Sequence, residues 1–265
     1  MSNHAEHNAR AWDQLARRGA PLTRPVSDDD LAQPLRAIDP RGWLGDSVAG
    51  QRVLCLAAGG GRQSALFAAA GAEVTVLDIS PEMLAHDRRV AAERRLAVRV
   101  VEGTMEDLSM FAAGSFDLVA QPVSTCYVPD VAVVFQQVAR VLRFGGLYLS
   151  QHKSPTSQQA GEQPAAGRYQ LAEPYYRDGP LPAAAPGRLR EVGTREYLHR
   201  WEQLIGGMCR VGFAIEDFTE PVHAQIDAAP GTFAHRGQYI APYVRIKARR
   251  TAAEATAQAT LLTGD

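Results

Sequence analysis

The chain has 265 residues, and its 28 lysines and arginines almost balance 29 aspartates and glutamates, for a formal net charge of −1. A chain of this length can bury a core without disulfide or metal support, and its balanced charge gives no general attraction to nucleic acid or to an anionic membrane. Its three cysteines, Cys55, Cys126 and Cys209, lie far apart without CxxC spacing, which argues against a disulfide framework or a thiolate zinc site and favours a reducing, cytoplasmic setting.

The N-terminal residues, Met1 to Arg10, are polar and hold no apolar signal-peptide core. No later run approaches the roughly 18 apolar residues of a membrane span. Residues 1–50 read as a helical extension or cap. A helical pattern around Ala9 to Arg17 puts Trp12, Leu15 and Ala16 on one face, and Ser27 before three aspartates predicts an N-cap for a second helix reaching about Ala37.

From Gln51 onward, apolar runs of strand length alternate with helical stretches, the sign of βαβ units on a parallel sheet. Strands are predicted at Arg52–Ala57, Glu73–Asp78, Val98–Glu102, Phe116–Gln121 and Gly146–Gln151, with helices at Arg62–Ala70, Pro81–Arg94 and Val131–Val141. Residues 154–192 are rich in Pro, Gly, Ala and Tyr and form a long, lid-like insertion on the substrate side. A helix from Thr194 to about Val211, a strand at Phe213–Phe218, a loop over 221–237 and a last strand at Gln238–Arg249 complete a domain spanning 51–250, with 251–265 a flexible tail. The expected fold is α/β: a doubly wound, mostly parallel seven-stranded sheet with a final antiparallel strand, in a three-layer sandwich.

Gly59-Gly60-Gly61 joins the first strand to a helix, so the backbone turns tightly and lets a ligand approach where a Cβ would clash. Asp78 ends the next strand, 19 residues after Gly59, where a carboxylate can accept both hydroxyls of a ribose. Together they point to an adenosine-bearing cofactor. A dinucleotide site wants small residues at the first, third and sixth positions of its loop. Here those are Ala57, Gly59 and Arg62, and the bulk of Arg62 disfavours NAD or FAD.

The chain resembles the class I S-adenosylmethionine-dependent methyltransferases of small-molecule type, whose loop is acid-x-Gly-x-Gly-x-Gly; the matching residues are Cys55, Ala57, Gly59 and Gly61. Leu77 to Leu84, Glu102 to Leu108, Ser115 to Val119 and Val138 to Gly146 resemble further segments of that family, in order and at its usual separations. The resemblance implies that S-adenosylmethionine is the cofactor and S-adenosylhomocysteine the product. It implies that Ala57, Gly59 and Gly61 border the methionine part, Asp78 holds the ribose, and Ile79 and Met83 flank adenine. The backbone of Met105 would then meet the adenine edge, with Thr104 or Glu106 near its amino group, and Gln121 would end the strand where cofactor and acceptor meet. Cys55 departs from the family's acid and Thr104 from another that meets adenine, so those contacts must come from elsewhere. Trp12 is a candidate to close over the cofactor from the N-terminal helix.

A methyltransferase chiefly aligns its nucleophile and excludes water, and a base is needed only when the nucleophile arrives protonated. The candidates for that role are His152 after the fifth strand, Tyr127 after the fourth, and His223 in the last long loop, with His235 beside it; Tyr169, Tyr175 and Tyr176 are candidates to line a pocket. Gln121 to Cys126 carries no clustered carboxylates or histidines, so no metal is expected. The expected partner is a small-molecule acceptor, not nucleic acid or membrane, and the expected state is a monomer or homodimer. The alternatives are a binding or regulatory module that keeps the cofactor fold without transfer, motivated by Cys55 and the lack of an evident base, and an NAD-type oxidoreductase, disfavoured by Arg62.

Overall fold

The computed structural model describes residues 2–184 and 187–251. Of the tail expected over 251–265, only Thr251 falls among them, its amide bonded to Gly212 O at 2.9 Å. Helix α1 (Asn3–Arg17) begins six residues before the predicted stretch. The single helix expected after Ser27 is two, α2 (Asp28–Ala32) and α3 (Pro34–Ile38), because Pro34 cannot continue the first and instead starts the second at its N-terminal position.

The sheet contains β1 (Arg52–Leu56), β2 (Glu73–Asp78), β3 (Val98–Glu102), β4 (Phe116–Gln121), β5 (Leu142–Lys153), β6 (Phe213–Thr219) and β7 (Tyr243–Arg250) in the order β3-β2-β1-β4-β5-β7-β6. The first five are parallel, and β7 runs antiparallel to both β5 and β6. Strand order reverses between β1 and β4, which opens a crevice at their carboxyl ends. The described helices after the extension are α4 (Gln63–Ala69), α5 (Pro81–Arg94), α6 (Val131–Val141), α7 (Pro155–Gln159), α8 (Gly207–Arg210) and α9 (Phe233–Arg236).

Alternation along β1 divides the core into two layers. Leu54 and Leu56 face Val134, Phe135 and Val138 of α6, whereas Val53 and Cys55 face Phe67 of α4 and Leu84 of α5. Helix α5 matches its predicted bounds because Ser80 caps it, accepting from Met83 N, Pro81 supplies a preset first position, and Arg95 closes it in the left-handed region. No helix among the described residues is long and apolar enough to cross a membrane.

Beyond the extension, three predicted elements differ from expectation by more than one residue at an end. Residues 194–200 are not helical: Asn8 takes the backbone of Arg195 and Cys126 O takes the amide of Tyr197, so a single π turn at Glu202–Gly206 and α8 are all that forms. Strand β5 starts at Leu142, where its pairing with β4 resumes across a register shift, instead of at Gly146. Strand β7 starts at Tyr243, because α9 is capped by Thr232 and anchored by Arg236, whose guanidinium donates to Gly161 O, Ser157 O and Ala160 O.

Candidate active site

The carboxyl ends of β1, β2, β4 and β5 border a cavity of about 360 Å³ that α1 roofs. That volume lies at the small end of the range for small-molecule sites, about 300–1,000 Å³. Its floor is the turn after β1, where Ala57 already has φ +48°, and Gly60 and Gly61 follow at φ +120° and +73°. A Cβ at Gly59 would stand 2.8 Å from Met83 Cβ and 3.0 Å from Asp78 Cβ, so this position has no room for a side chain. Gly61 instead packs on Val90 and His86 of α5 and does not line the cavity.

Two buried carboxylates hold this turn. Asp78 Oδ2 accepts from Gly59 N and its Oδ1 from Ser80 N, both at 2.9 Å, while the residue borders the cavity; burial raises its pKa against these backbone donors. Asp87 of α5 accepts from Gly60 N at 2.8 Å and from the Ser64 hydroxyl, and burial pushes it up to about 6. Cys55 does not reach the cavity. Its thiol is buried beneath the turn, where desolvation and then the nearby Asp87 carboxylate raise its pKa.

Beyond the glycines, Ile79, Met83, Thr104, Met105 and Glu106 form one lobe of the cavity. The other lobe is formed by Pro122, Val123, Ser124, Tyr127, Val128, Gln151, Glu191 and Tyr243. Helix α1 spans both lobes. Asp13 accepts from the Ser80 hydroxyl at 2.6 Å, Asn8 donates to Tyr127 O and Arg195 O and accepts from Arg195 N, and His4 Nε2 meets Glu106 at 2.8 Å. Trp12 meets the Tyr127 ring edge to face at 5.7 Å.

The structure therefore brings together Ala57, Gly59, Asp78, Ile79, Met83, Thr104, Met105, Glu106, Trp12 and Tyr127. Gln121 stands just behind the wall: it accepts from the Tyr148 hydroxyl, donates to Ser124 Oγ at 2.8 Å, and lies against Met105 Sδ. His152 is not brought in. Strand alternation aims Gln151 at the cavity and turns His152 away, where its nitrogens pair with Thr125 Oγ1 and Ser150 Oγ, both at 2.8 Å. Burial, with His199 nearby, lowers its pKa to about 3, so it is neutral at ordinary pH.

His223 is also outside the cavity, packed edge to face against Phe233 and Tyr243, and burial lowers its pKa. His235 pairs with the Tyr169 hydroxyl, Tyr175 Oη accepts from Trp201 N, and Tyr176 lies under Arg200, so none of these four lines the cavity. Of the described residues of the insertion only Glu191 does. The roof is α1.

Sequence reasoning missed His4, Asn8, Asp87, Gln151, Glu191 and Tyr243. One signal was available for Asp87, which falls on the buried stripe of α5 with Met83, Leu84 and Val90, where a carboxylate needs partners. Among the described residues no three His, Cys, Asp or Glu side chains converge into a set that could hold a metal ion.

A family model described as "Methyltransferase domain" matches residues 54–150. The chain is 33% identical over 235 residues to a protein of Bacillus subtilis named as the uncharacterized methyltransferase YbaJ, covering 83% of this chain and 91% of that protein. It is 30% identical over 203 residues to a ubiquinone biosynthesis O-methyltransferase of Xanthomonas axonopodis pv. citri, covering 73% of this chain and 85% of that one. Its fold is similar to the crystal structure of an S-adenosylmethionine-dependent methyltransferase from Mesorhizobium loti, with TM-score 0.63, 24% identity and coverage of 83% of this chain and 100% of that one. It is also similar to geranyl diphosphate C-methyltransferase from Streptomyces coelicolor, solved with S-adenosyl-L-homocysteine, with TM-score 0.61, 16% identity and coverage of 94% and 99%.

Proposed function

The chain belongs to the class I S-adenosylmethionine-dependent methyltransferases, and from that premise we propose that its cavity unites the cofactor with a small-molecule acceptor beneath α1. The chain is an enzyme of methyl transfer. The observation that carries the acceptor class is the roof: α1 is fastened over both lobes by Asp13, Asn8 and His4, and the cavity beneath it measures about 360 Å³.

The residues present fit the cofactor. Gly59 borders the cavity, with its Cβ direction already filled by Met83 and Asp78, and the Asp78 carboxylate beside it would accept ribose hydroxyls. Ile79, Met83 and Met105 supply an apolar slot for adenine, with Thr104 and Glu106 at its polar edge and Trp12 above. When bound, the cofactor would supply a methyl group made electrophilic by its sulfonium. The protein's part is alignment and exclusion of water. Tyr127 is poorly suited to act as a base, because its hydroxyl proton is already given to Glu191 at 2.6 Å and burial raises its pKa.

The relative named for O-methylation in ubiquinone biosynthesis makes an oxygen acceptor the first to try. The free cysteines, two of them buried, suit a cytoplasmic enzyme. Calorimetric titration with S-adenosylmethionine, S-adenosylhomocysteine and NAD tests the cofactor reading: both sulfur cofactors should bind well below about 1 mM and NAD should not. Failure of both to bind refutes it. A methyl-transfer screen against small metabolites then tests the acceptor class, and turnover of a protein or nucleic acid instead would overturn it.

A further inference from the structure

The acceptor lobe contains one carboxylate whose orientation is fixed from behind. Glu191 Oε2 receives the Tyr127 hydroxyl at 2.6 Å and Lys153 Nζ at 3.1 Å. Lys153, 6% exposed, is shared with the fully buried Glu196 at 3.0 Å, and Glu196 also meets Arg190 at 3.3 Å. Two carboxylates and two cations balance, so Lys153 has no charge to spare for a ligand. The other oxygen, Glu191 Oε1, makes no hydrogen bond among the described residues and is not sealed within protein. Glu191 lines the cavity opposite the Asp78 side of the turn.

The Tyr127 hydroxyl proton points to Glu191, so any further hydrogen bond its oxygen makes is one it accepts. Glu191 Oε1 and the Tyr127 hydroxyl oxygen therefore both seek donors. Among the lining residues the one arginine, Arg62, is paired with Asp30 at 3.2 Å, and His4 is hydrogen-bonded to Glu106. An anionic group beside Glu191 would meet a fixed like charge, while Arg62 and Lys153 are already paired with carboxylates.

Resting on the reading of the cavity as the site of cofactor and acceptor together, we propose that Glu191 selects the acceptor by receiving a hydrogen bond from it. The acceptor class is then a small aromatic or apolar body, held by Val123 and Tyr127, that carries a hydroxyl or an N–H, and carboxylates are rejected. Lys153 and Tyr127 act as positioning residues, fixing the carboxylate so that it presents Oε1.

The test loads the protein with S-adenosylhomocysteine and titrates in 4-ethylphenol, 4-ethylbenzylamine or 4-ethylbenzoate, at neutral pH, by calorimetry. The phenol and the amine should each bind at least about tenfold more tightly than the benzoate, the factor expected of one hydrogen bond to a charged group. Glu191→Gln should bring the three within about threefold of one another while leaving the affinity for S-adenosylhomocysteine unchanged. Tyr127→Phe, which removes one of the two accepting oxygens and keeps the ring, should narrow the gap partway. The proposal is overturned if the benzoate binds as tightly as the phenol, if the preference survives Glu191→Gln, if no probe binds the loaded protein, or if Glu191→Gln weakens S-adenosylhomocysteine tenfold, which would put Glu191 on the cofactor. The titration of the wild-type chain with S-adenosylhomocysteine alone comes first. Its failure would strike the cofactor reading itself, and is thereby told apart from a failure of acceptor selection.

Discussion

Asp87→Asn replaces a carboxyl group that is 1% exposed with a neutral amide of nearly the same shape. Burial raises the Asp87 pKa from an ordinary 3.8 to about 6, despite the bonds from Ser64 and Gly60 that favour the charged form. The folded chain thus holds this proton more tightly than the unfolded chain does. The resulting stability is fully present below the unfolded value and is lost as pH rises through the folded one. A difference of roughly 2 pK units corresponds to about 3 kcal/mol, of which about 2 kcal/mol falls between pH 4.5 and 7.5. The amide oxygen of Asp87→Asn can still accept from Gly60 N, and nothing titrates, so the variant should gain about 2 kcal/mol relative to wild type across that interval. Urea unfolding of both proteins at several pH values measures it, and taking the difference cancels the other titrating groups. Parallel stability curves from pH 4.5 to 7.5 would refute the assignment of a buried, protonation-linked carboxyl group beneath the glycine turn.

Asp78→Ala should weaken S-adenosylhomocysteine at least about tenfold by calorimetry, since it removes a carboxylate from the cradle; an unchanged affinity would refute its ribose role. Trp12→Ala should raise the dissociation constant by about threefold to tenfold, the worth of a well-placed aromatic contact, and a variant that binds as wild type would mean that α1 does not close over the cofactor. Lys153→Met should cost about 3–5 kcal/mol in chemical denaturation, because Glu191 and Glu196 lose the cation buried between them. A loss below about 1 kcal/mol would show that the network does not depend on that cation.

Much of the sheet was legible because its strands obey local rules. β2, β3 and β4, and the helices α5 and α6, have the predicted bounds, since apolar runs, Ser80-Pro81 and Asp130 mark them within a few residues of chain. What failed was set from a distance. Thr194–Arg200 looks helical, yet Asn8 and Cys126, 187 and 71 residues away in the chain, claim its backbone. The glycine turn and Asp78 were legible as one side of the cavity because turn, strand end and helix are contiguous. The acceptor lobe was not, because it is assembled from α1, the turn after β4, β5, the end of the insertion and β7. Parity alone sets His152 away from the cavity and Gln151 toward it: a strand position one residue off faces the opposite layer.

Cys55 and Thr104 look in sequence like losses from the methyltransferase pattern, and the structure indicates what each loss has been exchanged for. Beneath the turn, the Asp87 carboxylate is near enough to Cys55 to raise its thiol pKa, and it holds Gly60 N and Ser64, so an acid serves the turn from α5 with none on β1. It does not line the cavity, so it takes over support of the loop and not contact with the cofactor. At the other departure, Thr104 Oγ1 donates to Glu106 at 3.3 Å, and the same carboxylate is held by His4 of α1 at 2.8 Å. The acid at that edge therefore depends on the roof being in place. One acid stands on α5 and the other is held by α1, so both tie the turn and its neighbouring edge to elements that a local motif does not contain. An incomplete motif in this chain is thus compatible with a complete site, provided that α1 and α5 are present to finish it.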